Sequence, residues 1–121
     1  MANDLPQFYE DEYPGWAQFC ESVHKMKTFT EENGIKVAFA LIPIPEGYDN
    51  YPYHAYHERL TSVLNGMHKF PVYDLIEAVR SLDARKHWVH PSDGHPDTFV
   101  HKEMGEYLEQ IVPWAKWMDK E

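Results

Sequence analysis

An apolar run bounded by turn-forming residues constrains the fold of this 121-residue chain more than any other feature. The segment Lys36–Pro43 reads Lys-Val-Ala-Phe-Ala-Leu-Ile-Pro, and Gly34 lies just before it. A short, continuous apolar run with such boundaries is typical of a strand that is buried on both faces, as the strands of parallel sheets are. Proline has no N–H to donate to a neighbouring strand, so we expect pairing to end at Pro43.

Helical periodicity flanks this strand on both sides, because apolar residues recur there at spacings of three and four. The predicted elements are, in chain order, a helix over 15–33, a strand over 36–43, a helix over 53–68, a strand over 70–75, a brief helix over 76–82, a loop over 83–96 and a last helix that begins near Asp97. Asp97 is a suitable N-cap, since its carboxylate accepts the unpaired N–H groups of a first turn.

This order of elements predicts a mixed α/β fold, a partial flavodoxin-like three-layer α/β/α unit with about two parallel strands flanked by helices. We expect residues 1–121 to form a single α/β unit. Two strands make a narrow sheet, and three or more are normally needed for independent stability. The open sheet edge therefore predicts a partner, either further copies of the chain in a homo-oligomer or a complementing chain.

Composition excludes several classes of protein. Eleven Lys and Arg against twenty Asp and Glu give a net charge of −9, which argues against binding to nucleic acid or to anionic membranes. No apolar stretch approaches the roughly 20 residues that a membrane-spanning helix requires. Cys20 is the single cysteine, so an intrachain disulfide and a cysteine-based zinc site are excluded. No signal peptide is visible, and we expect a cytoplasmic location.

The most informative stretch for chemistry is His90-Pro-Ser-Asp-Gly-His-Pro-Asp, which leads into the last predicted helix. Asp93 and His95 are separated by Gly94 alone, and a bend at the glycine brings carboxylate and imidazole together. A carboxylate on the Nδ1–H of an imidazole fixes its tautomer and leaves Nε2 free to take a proton. The spacing therefore predicts an Asp–His acid/base pair.

These residues, together with His101, resemble the last motif block of the SGNH (GDSL-type) hydrolase family, and Lys36–Pro43 resembles that family's penultimate strand. The resemblance runs from Trp16 to Val112. It implies hydrolysis of small esters by a Ser-His-Asp triad that needs no cofactor and no metal. In that triad His95 is the general base and Asp93 its orienting carboxylate.

Two departures from the family pattern concern the triad itself. The commoner spacing would put Ser92 in the position of the acid, and Asp93 fits the shorter variant. The nucleophilic Ser of the Gly-Asp-Ser block has no counterpart, because none of the four serines follows Gly-Asp.

Asn3-Asp4 is similar to the end of the family's third block, which implies that Asn3 is an oxyanion-hole donor and that the chain starts where this block ends. The resemblance is thus to the C-terminal half of a hydrolase. Since no acyl-enzyme forms without the serine, we expect the isolated chain to be inert, and its status as an enzyme stays open.

Two other interpretations remain open. The chain is alternatively a non-catalytic interaction or oligomerisation module on a hydrolase-derived fold. A histidine-based metal-binding protein is a third interpretation, because His87, His90, Asp93 and His95 fall within nine residues and are suitable zinc ligands. Against it, no closed ligand pattern such as His-Glu-x-x-His appears in the sequence.

Overall fold

The computed structural model describes residues 10–118. Its α-helices are α1 (Pro14–Glu32), α2 (His54–Thr61), α3 (Ile76–Val79), α4 (Thr98–Ile111) and α5 (Trp114–Trp117). Its strands are β1 (Phe39–Leu41), β2 (Val72–Asp74), β3 (Trp88–His90) and β4 (Asp93–Pro96). A π-helical segment, Ser62–Met67, continues α2, and 3-10 turns cover Tyr48–Asn50 and Ala84–His87. The predicted mixed α/β content is confirmed.

Strands β1 and β2 form a two-stranded sheet. The N–H of Phe39 donates to the carbonyl of Pro71 (2.9 Å), and the N–H of Leu75 donates to the carbonyl of Leu41 (3.0 Å). Because the partners advance in the same direction along both strands, the two strands are parallel, as the sequence predicts.

The prediction that β1 is buried on both faces is wrong. Ala40 is exposed, and Ile42, just beyond the strand, is 58% exposed. Successive side chains of a strand point to opposite faces, so Ala40 lies on a face that the described residues leave open.

The prediction of a loop over 83–96 is also wrong, because β3 and β4 pair there as an antiparallel hairpin. Trp88 is opposite Pro96, and His90 is opposite Asp93. Strand β3 advances two residues between these pairs while β4 advances three, which is the signature of a β-bulge. The extra residue lies between Asp93 and Pro96, at the position of the candidate pair.

Helix α4 begins as the sequence predicts. The Oδ1 atom of Asp97 accepts the backbone N–H of Val100 (3.0 Å), which is the hydrogen bond of an N-cap. Val100 and Met104 then lie one turn apart and are both buried, so they fix the inward face of the helix.

The chain divides into two compact units. Among the described residues, the first comprises residues 10–39 and His54–Val72, and the second comprises Ala40–Tyr53 and residues 73–118. The buried apolar residues described in the first unit are Trp16, Val23, Val63, Leu64 and Phe70. Those of the second unit include Tyr48, Ile76, Val79, Val100 and Met104. Both candidate catalytic residues belong to the second unit. Within the described range, no helix combines the length and apolarity needed to cross a bilayer.

Candidate active site

Strand β4 carries both residues of the predicted acid/base pair. The Oδ1 atom of Asp93 is in hydrogen-bond contact with Nδ1 of His95, and it also accepts the backbone N–H of His95 (3.1 Å). The second hydrogen bond closes a turn of the Asx type, which holds the carboxylate over the residue two positions on. The structure therefore brings together the two side chains that the spacing predicts, and their catalytic role remains a prediction.

The two members of the pair differ in exposure. The side chain of His95 is 84% exposed, and that of Asp93 is 48% exposed. Among residues 10–118, Nε2 of His95 has no hydrogen-bond partner, so this nitrogen is available to an incoming group. A proton on Nδ1, donated to Asp93, leaves the lone pair on Nε2.

Electrostatics keep the carboxylate ionised. The hydrogen bond from the His95 ring, followed by that from its backbone N–H, holds the pKa of Asp93 below the usual value of 3.8. Electrostatic interactions with His95 and His90 are smaller causes that act in the same direction. Asp93 is therefore a hydrogen-bond acceptor at neutral pH, which is what an orienting carboxylate requires.

Ser92, the residue that the commoner family spacing would use, does not take part in this pair. Its hydroxyl lies 2.8 Å from Nδ1 of His90, and its backbone N–H donates to the same nitrogen (3.1 Å). Since Nδ1 of His90 accepts the backbone N–H, it has no proton there, and the hydroxyl must be the donor.

A second Asp–His contact, which the sequence did not predict, lies at the base of the hairpin. Nδ1 of His87 is 3.1 Å from Oδ2 of Asp97, and both side chains are nearly three-quarters buried. The His87 ring stacks on Phe99 with centroids 5.0 Å apart. The backbone N–H of Val100 and then the His87 ring lower the pKa of Asp97. Because both carboxylate oxygens are occupied, this contact joins the hairpin to α4 and is structural.

A cavity lies along β3, and neither Asp93 nor His95 lines it. This cavity of about 380 Å³ is lined by Arg85, Lys86, Trp88, Val89, His90 and Pro91. Its volume is within the range of small-molecule sites. His90 lines it and is opposite Asp93 in the hairpin, so the cavity borders the strand that pairs with β4.

The structure does not support the other two sequence predictions, the oxyanion-hole donor and the metal site. Asn3, the candidate oxyanion-hole donor, lies outside the described residues. Within residues 10–118, no three His, Cys, Asp or Glu side chains are grouped closely enough to hold a metal ion. The four residues of the metal hypothesis instead form separate contacts, with His90 on Ser92 and His87 on Asp97.

Comparison with protein-family models, with curated proteins and with solved structures found no match for this chain.

Proposed function

We propose that this chain is the C-terminal part of an SGNH-type ester hydrolase and that Asp93 and His95 are its acid/base pair. In this proposal the serine nucleophile comes from a segment outside the 121 residues. The observation that supports it is the contact between Nδ1 of His95 and Asp93, with Nε2 left available. An Asp–His pair in this tautomer is the proton-transfer half of a Ser-His-Asp triad.

The chemistry of each step follows from the pair. As the serine oxygen attacks the ester carbonyl, its proton passes to Nε2 of His95, and the imidazolium is stabilised by ionised Asp93. The imidazolium then returns the proton to the leaving alcohol, which gives an acyl-serine. A water molecule repeats the sequence, with its proton moving to Nε2 and then to the serine oxygen, and it releases the acid. Asn3 is the proposed donor to the oxyanion.

The exposure of His95 supports the interpretation that this chain holds only part of the active site. Catalytic imidazoles work in sites from which water is excluded, because hydrogen bonds and charges are stronger there. A side chain that is 84% exposed lacks that environment. We propose that the serine-bearing segment supplies it, and that β1 and β2 are then part of a larger, flavodoxin-like parallel sheet flanked by helices. The open face at Ala40 and Ile42 is available for such packing.

Complementation tests this function. The purified chain is mixed or co-expressed with a candidate polypeptide that carries a Gly-Asp-Ser block, and hydrolysis of p-nitrophenyl acetate is followed. We expect hydrolysis only with both components. His95→Ala should reduce the rate about 10²- to 10⁴-fold, the usual contribution of a general base. His101→Ala, which removes an exposed imidazole from α4, is the matched control and should leave the rate unchanged.

Two results would contradict the proposal. One is hydrolysis that is equal with the wild-type chain and with His95→Ala. The other is the absence of hydrolysis above background when the serine-bearing polypeptide is present and bound. A stable homo-oligomer that binds no such polypeptide and is indifferent to His95→Ala would instead favour a non-catalytic interaction module.

A further inference from the structure

The indole ring of Trp88 faces the backbone of Gly94, between the two residues of the pair. A β-carbon at Gly94 would be 3.5 Å from both Cε2 and Cζ2 of Trp88, which is ordinary van der Waals contact. The ring therefore covers one side of the bulge that carries Asp93 and His95. The sequence did not predict this, because the contact depends on the register of the hairpin.

Trp88 is itself held from the loop that follows β1. Its Nε1–H donates to the carbonyl of Pro45 (3.0 Å). The guanidinium of Arg85 lies 5.2 Å from the ring centroid, within cation–π range. Arg85 is in turn bound to that loop, since its Nε and Nη2 both donate to Oε1 of Glu46 (3.0 and 2.8 Å). The indole is thus connected to the loop at Pro45 directly and at Glu46 through Arg85.

A bulge needs such support because its extra residue is not fixed by the strand pairing. Bulges locally disrupt the ladder and re-aim a side chain, and they are frequent beside active sites. Here the glycine between Asp93 and His95 adds backbone freedom that the pairing does not remove. A ring that is fixed elsewhere and faces Gly94 limits the conformations open to this backbone.

We propose that Trp88 is a positioning residue, which holds the Asp93–Gly94–His95 bulge in the conformation that joins Nδ1 of His95 to Asp93. Trp88 acts through the backbone of Gly94 and touches no reacting atom. This inference rests on the proposed function only for its catalytic meaning, because the positioning itself is a property of the isolated chain.

Long-range ¹H–¹⁵N spectra of the full chain test the inference, since they report which ring nitrogen of His95 carries the proton. We expect one tautomer in the wild-type chain, with Nδ1 protonated. Trp88→Ala should shift His95 toward the mixture of tautomers of an unconstrained histidine. Trp88→Phe keeps a ring but loses the hydrogen bond to Pro45, so it should cause a smaller shift in the same direction.

Trp114→Ala, which removes a half-exposed indole from α5, is the control and should leave the His95 signals unchanged. Wild-type His95 signals in folded Trp88→Ala would overturn the inference. If Trp88→Ala does not fold, wild-type signals in Trp88→Phe overturn it equally. No ester or serine enters this measurement. A failed complementation would therefore refute the proposed function and leave the positioning role of Trp88 intact. Wild-type His95 signals in the Trp88 variants would refute the positioning role and leave the proposed function intact.

Discussion

The hydroxyl of Tyr51 should contribute measurably to stability, because it is the acceptor for a backbone N–H between two prolines. The N–H of Ile44 donates to Oη of Tyr51 (2.7 Å), and Pro43 and Pro45 on either side have no N–H to offer. Tyr51 is only 5% exposed, and its ring packs edge-on against Tyr53 with centroids 5.5 Å apart. Tyr51→Phe keeps the ring and therefore removes the hydrogen bond without opening a cavity.

The expected loss of stability in Tyr51→Phe depends on whether the N–H of Ile44 finds another hydrogen-bond acceptor. Leaving a buried donor unsatisfied costs about 1 to 3 kcal/mol, and a donor that water reaches costs less. Ile44 is half-buried, so we expect the free energy of unfolding to fall by about 1 to 2 kcal/mol. Urea unfolding followed by far-UV circular dichroism should show a lower midpoint with an unchanged slope.

Tyr107→Phe is the matched control, because the Tyr107 hydroxyl on α4 makes no hydrogen bond within residues 10–118. Its effect should stay within about 0.5 kcal/mol, as is usual for substitutions that remove no contact. A Tyr51→Phe chain as stable as the control would refute the reasoning about the Ile44 N–H.

Two further predictions concern pH and the start of α4. Burial raises the pKa of Tyr51 above its ordinary value of 10.0, so the unfolded chain loses the hydroxyl proton at a lower pH than the folded chain does. The contribution of Tyr51 to the free energy of unfolding is therefore complete below pH 10 and declines as the pH rises further. Urea midpoints measured from pH 8 to 11 should show that decline, and Tyr51→Phe should make it shallower. Asp97→Ala removes both the N-cap hydrogen bond to Val100 and the contact with His87, so its melting temperature should fall more than that of Asp97→Asn, which retains a capping oxygen. Equal melting temperatures for the two variants would argue against the cap.

Local chemistry explains which parts of the fold the sequence predicted. The N-cap at Asp97 and the parallel pairing of β1 with β2 follow from short-range signals, namely a capping residue before an apolar stripe and strands separated by a helix. The hairpin of β3 and β4 escaped prediction because its strands have three and four residues and contain Pro96 and Gly94, which are unfavourable in strands. The exposure of Ala40 was unpredictable for another reason, since it depends on what covers the sheet.

In the candidate site, too, the sequence predicts short-range contacts and misses those that depend on tertiary structure. Asp93 and His95 are two residues apart, so their contact is accessible to reasoning from spacing alone. His87 and Asp97 are ten residues apart, and Trp88 reaches Gly94 and Pro45 only through the hairpin register and the path of the loop after β1. Contacts of this kind require the tertiary structure, because no periodicity links their positions in the sequence.

The protonation state of His95, measured in the unmodified chain and in Asp93→Asn, decides whether these two residues form an acid/base pair. We expect the neutral imidazole of wild-type His95 to carry its proton on Nδ1 and none on Nε2. Asp93→Asn should lose this preference, and the signals of His101 should be the same in both chains. A proton found on Nε2 of wild-type His95, or identical ring signals in both chains, would contradict the assignment of these two residues as an acid/base pair.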